Sequence, residues 1–132
     1  MKLQFYLGLE TTPLVRITSL EKNVLASYDH YDDTIYVNAN YIDEKDGYDY
    51  IETITHECFH AWEYALIEFS DDLESTMIYP YNRIVVYQEE LTNYVSGSDN
   101  FDNYSNQKVE EDAREYAYIR KILYKQAINR ND

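Results

Sequence analysis

With one cysteine, Cys58, the chain has no pair from which to close an intrachain disulfide. Its fold must hold without an intrachain disulfide, and a reducing compartment suits it. Glycine and proline are scarce, at 3 and 2 residues, which excludes low complexity and a sandwich of many tight turns. Long hydrophobic runs are missing. The N-terminus, residues 1–9, has one lysine, Lys2, and a short apolar run, lacks a cleavage-site pattern and is too short to span a bilayer. No other segment reaches that length, and the expected location is cytoplasmic. Basic charge is also short: 11 Lys and Arg stand against 25 Asp and Glu, a net charge of −14. A surface so acidic repels nucleic acid and anionic membranes, so neither is expected as a partner.

What is present is a chain of 132 residues, the size of one domain, with 45% hydrophobic residues. Sixteen of those are tyrosines, so the core has to accommodate or satisfy many hydroxyls. Residues 3–9 and 14–18 read as short strands separated by Thr11-Thr12-Pro13. Residues 24–28 and 34–38 read as a hairpin around the polar Asp29-His30-Tyr31-Asp32-Asp33. His30 has no partner at ligand spacing and reads as a solvated loop residue.

Helical patterning follows. Residues 48–69 place Ile51, Ile54, Phe59, Trp62, Ala65, Leu66 and Phe69 at mostly helical spacing, with Asp49 and Glu52 resembling a capping box. The acids of residues 43–47 do not have the spacing of a calcium loop. The helix ends or loops out at 71–74, and Pro80 interrupts regular structure. Residues 83–95 and 108–128 read as further helices, and the polar stretch 96–107 as a loop that borders a cleft. Strands followed by helices predict an α+β domain, a short antiparallel-containing sheet packed on a central helix and C-terminal helices.

That central helix carries His56-Glu57-Cys58-Phe59-His60, an HExxH pattern. Residues four apart on a helix lie nearly in line, about 6 Å along the axis, so two imidazoles can face one metal ion. Glu57, offset around the helix, can reach a water at that ion without ligating it. Cys58 faces away from both histidines and reads as core packing.

A catalytic zinc site needs a third protein ligand. The extended HExxHxxGxxH solution is excluded, because Glu63 and Leu66 occupy the glycine and third-histidine positions. A downstream carboxylate remains. Glu110 shares a helical face with Ala113 and Ala117, whose small side chains let that helix lie close to another. A carboxylate aimed inward there is costly to bury alone, and a metal ion would resolve the cost. Glu111 is the neighbouring alternative, and Asp112 is placed to accept a histidine N–H from outside the ligand set. All three acids could instead simply complement the helix dipole.

The two segments together resemble the gluzincin type of zincin metallopeptidase, in which HExxH is joined by a glutamate from a downstream ExxA helix. The small size and the strands before the motif are similar to ImmA/IrrE-like and phage-encoded minimal metallopeptidases. The resemblance covers residues 24–123, with specificity in the two motif segments. It implies a zincin-like fold, one Zn2+ per chain on His56, His60 and Glu110, and Glu57 as general base. A peptide or protein is the implied substrate. The transition-state-stabilising histidine of some gluzincins has no clear counterpart here, and Tyr116, nearest in sequence to the third ligand, is the candidate for that role. The strand at 34–37 is the candidate edge for an extended peptide. Two other readings are a zinc-binding interaction module without catalysis and a metal-free acidic protein that mimics DNA or blocks a basic partner.

Overall fold

Residues 34–38 are rich in β-branched and aromatic side chains, which suit a strand, and they form the middle strand of the sheet. The computed structural model describes residues 13–41, 46–68, 81–97 and 99–131. The expected strand at 3–9, the breaks at Thr11-Thr12 and Pro80 and the helix end at 71–74 lie outside them. The strands are β1 (Leu14–Thr18), β2 (Ala26–Asp29) and β3 (Thr34–Asn38), in the order β1-β3-β2. β3 runs parallel to β1 and antiparallel to β2, with Tyr28 opposite Ile35. The 34–37 segment is therefore paired on both sides and is no edge for a peptide. Among the described residues β1 and β2 are the outer strands.

The hairpin turn is held by its own acids. Tyr31 N–H donates to Asp29 Oδ1, Tyr28 OH to Asp33 Oδ1 and Tyr36 OH to Asp32 Oδ2, at 2.9, 2.7 and 2.6 Å. Asp33 adopts φ 51°, a left-handed position that Asp tolerates better than most residues. At the far end of β3, buried Asn38 donates through Nδ2 to Val24 O at 2.7 Å and accepts from Leu20 N–H at 3.2 Å. One side-chain amide thus folds the 20–24 loop back onto the sheet.

After a 3-10 turn at Ala39–Tyr41, four helices follow: α1 (Gly47–Glu68), α2 (Tyr81–Thr92), α3 (Phe101–Asn106) and α4 (Lys108–Asn131). The cap of α1 is Asp46, not Asp49: Asp46 Oδ1 accepts the Asp49 N–H at 2.9 Å and its carbonyl accepts the Tyr50 N–H. Asp49 and Glu52 instead meet Lys121 of α4, at 3.2 and 2.9 Å. The expected loop at 96–107 contains α3, which starts where Asn100 accepts the Asn103 N–H at 3.0 Å. Its polar composition hid a helix of six residues, too short to show a buried stripe.

Ile35 and Val37 pack with Cys58 of α1 and with Tyr28, Tyr50 and Ile54 around them. Cys58 is thus core packing, and burial pushes its thiol up to about 11. On the other side of α1, the face made by Val109, Ala113 and Ala117 of α4 is fully buried, joined by Ile84 and Tyr87 of α2. α4 makes its most extensive contact with α1. The two motif-bearing helices are therefore each other's principal neighbours. Among the described residues, no helix is long and apolar enough to cross a membrane.

Candidate metal centre

Helical periodicity alone puts His56 and His60 on one side of α1, with ring centroids 4.8 Å apart. Glu110 meets them from α4. Its Oε2 lies 2.9 Å from His56 Nε2 and 3.1 Å from His60 Nε2. The carboxylate is only 1% exposed, so helix packing, and not solvent, sets its position. Burial raises its pKa, but the hydrogen bonds from both histidines outweigh burial and hold it well below the usual carboxylate range.

Tertiary contacts at the start of α4 aim this side chain. Glu90 of α2 caps the helix from outside, accepting Lys108 N–H and Val109 N–H at 2.8 Å each. Buried Gln107 clasps Val95 by both main-chain groups, at 3.1 and 3.0 Å, and accepts the Glu110 N–H on its carbonyl. Glu111, one residue round the helix, is exposed and pairs with Lys108 at 2.9 Å. The structure thus brings Glu110, and not Glu111, to the histidines.

Glu63 supports the second histidine. Its Oε1 lies 2.8 Å from His60 Nδ1, and the side chain is fully buried. Burial lifts its carboxyl to about 8, against the pull of the His60 ring. Burial disfavours charge on His60 too, but Glu110 and Glu63 together raise its pKa well above the ordinary histidine value. The expected acceptor for a histidine N–H was Asp112, which instead accepts from Tyr87 OH. Glu63 left one trace in the sequence: an acid inside the apolar run Phe59, Ala61, Trp62, Ala65, Leu66.

Glu57 is 9% exposed, and burial raises its pKa while both histidines and the Tyr28 main-chain N–H pull it down. Ligand atoms of His56, Glu57 and His60 all lie within 4.8 Å of one another, and the group could hold a metal ion. Glu110 Oε2, next to both imidazoles, could add an oxygen donor to their two nitrogens. Around tetrahedral zinc, with bonds of about 2.0–2.1 Å, donor atoms sit roughly 3.4 Å apart. The separations of 2.9 and 3.1 Å seen here need to open by only a few tenths of an ångström, so the residues present fit the ion.

These side chains open into a cleft of about 860 Å3, lined also by Ser27 and Tyr28 of β2 and by Tyr94, Tyr104 and Arg114. Tyr94 OH donates to Glu110 Oε1, and the Tyr104 hydroxyl also bonds Glu110. Burial and the Glu110 charge raise both phenols and keep them protonated. Tyr116 is elsewhere: its ring packs on Phe59 at 5.2 Å with Arg120 over it, outside the cleft lining. Six residues along a helix is about 240° of rotation, so Glu110 and Tyr116 cannot share a face. Nothing local marks Tyr94 and Tyr104 among sixteen tyrosines. His30 stacks on Tyr64 at 4.3 Å in the exposed turn. Compared with known proteins, the chain matches no family model, no curated protein and no solved structure.

Proposed function

We propose that this chain is a zinc-dependent peptidase whose metal is held by His56, His60 and Glu110. The observation that carries the reading is the Glu110 carboxylate, buried and within 3.1 Å of both imidazole Nε2 atoms from fifty residues downstream in the chain. Zinc bound there would supply Lewis-acid polarisation of a carbonyl and acidify water. Glu57 is the general base: a buried carboxylate with a raised pKa, beside the histidines and open to the cleft. It takes a proton from the attacking water and returns it to the leaving amine. Tyr94 and Tyr104, which line the cleft where Tyr116 does not, take the role expected of Tyr116, each neutral hydroxyl turning its single O–H from Glu110 to the reacting carbonyl. The edge of β2 takes the place of the 34–37 segment, as the strand along which an extended peptide lies.

The test compares purified wild type with His60→Ala and Glu57→Gln. His60→Ala is expected to lose stoichiometric zinc. Glu57→Gln is expected to keep zinc while turnover on a peptide library falls about 10²–10⁴-fold, the usual share of general acid–base catalysis. Full turnover in Glu57→Gln would reject the assigned base.

A further inference from the structure

Arg114 stands one turn beyond Glu110 on α4 and lines the same cleft. Its situation differs from that of its neighbours. Lys108 pairs with Glu111, and Lys121 with Asp49 and Glu52. Lys125 and Arg120 lie over the rings of Tyr48 and Tyr116. Among the described residues Arg114, an exposed side chain, makes one hydrogen bond, from Nη2 to the Ser105 carbonyl of α3 at 2.7 Å. Among the described residues it has no carboxylate partner, in a chain with 25 acids. The acids of the cleft near it are engaged: Glu57 and Glu110 face the imidazoles, and Glu52 meets Lys121.

A guanidinium has five N–H donors in a planar fork. The Ser105 carbonyl occupies one and fixes the plane, which leaves the rest for a ligand entering the cleft. That fork matches a carboxylate with two parallel hydrogen bonds. The net charge of −14 repels an anionic substrate at distance, so acceptance of one depends on a contact made inside the cleft. Lys22 is the other Lys or Arg of the lining, and among the described residues it makes no ion pair.

We propose that Arg114 binds a carboxylate of the peptide substrate, either its C-terminal carboxylate or an acidic side chain, beside the bond presented to His56, His60 and Glu110. The assignment rests on the peptidase reading of the site.

The test uses a mixed decapeptide library in three forms: free acid, C-terminally amidated, and with Asp and Glu replaced by Asn and Gln. Turnover is measured with zinc-loaded wild type, and binding by calorimetry with zinc-loaded Glu57→Gln protein. A carboxylate form is expected to be preferred by about tenfold or more in both readouts, the scale of a charge-assisted contact. Which replacement removes the preference identifies the source of the carboxylate. Arg114→Gln should bring the ratio to parity, and Arg114→Lys should retain part of it. Equal handling of all three forms by wild type, or a preference that survives in Arg114→Gln, overturns the assignment and leaves the peptidase standing. If wild type cleaves no form and Glu57→Gln protein binds none, both readings fall together.

Discussion

His56 and His60 are aimed by α1 itself: four residues of helix bring the second ring over the first, whatever surrounds them. Glu110 has no such local guarantee. Its carboxylate reaches the same point only because Glu90 caps α4, Gln107 clasps Val95 and Ala113 and Ala117 admit α4 against α1. One half of the site is written in consecutive residues, and the other half is a product of packing. The difference teaches where the site is vulnerable. Changes that leave α1 helical should leave the histidine pair intact, whereas disturbing the start of α4 should draw the Glu110 carboxylate away from the imidazoles without altering Glu110 itself.

The sharpest break in this comparison is between adjacent acids. Glu110→Gln should abolish stoichiometric zinc and all turnover, while Glu111→Gln should change neither, as read by metal analysis of the purified proteins. Zinc lost equally from both variants would mean that burial of Glu110 has no functional content. Next in size is Glu63→Gln, which keeps shape but removes the carboxylate from His60 Nδ1. Zinc affinity should fall about 10–100-fold, the range for partners that orient a metal-ligating histidine, in a competitive chelator titration. An unchanged affinity would assign Glu63 to packing.

The smallest effects separate the two helix caps. Asp46→Ala and Glu90→Ala should each cost about 1–2 kcal/mol in a denaturant titration, since each leaves main-chain N–H groups at a helix start without an acceptor. Only Glu90→Ala should also weaken zinc binding, because only α4 carries a donor whose position depends on its cap. Equal effects of the two substitutions on zinc would remove the distinction between the locally and tertiarily aimed halves.

Where residue pattern and structure differ, a tertiary contact is the cause in nearly every instance. Asp49 and Glu52 have capping spacing, yet Lys121 draws both to the side of α1 and Asp46 caps. Asp112 was well placed for a histidine until Tyr87 OH took it. The 34–37 segment has the composition of any strand, and only the parallel pairing of β1 makes it central. α3 was missed for a different reason, its shortness.

Periodicity fixed what repeats along the chain: the hairpin, the span of α1, the shared face of His56 and His60, and the Glu110, Ala113, Ala117 stripe. These follow from 3.6 and 2 residues per repeat, which the order of residues encodes directly. Folding in three dimensions decided which acid meets which imidazole, that Glu63 and not Asp112 holds His60, and that Tyr94 and Tyr104 rather than Tyr116 face the cleft. Such pairings join residues distant in sequence, and burial selects among chemically equivalent candidates that the chain itself presents side by side.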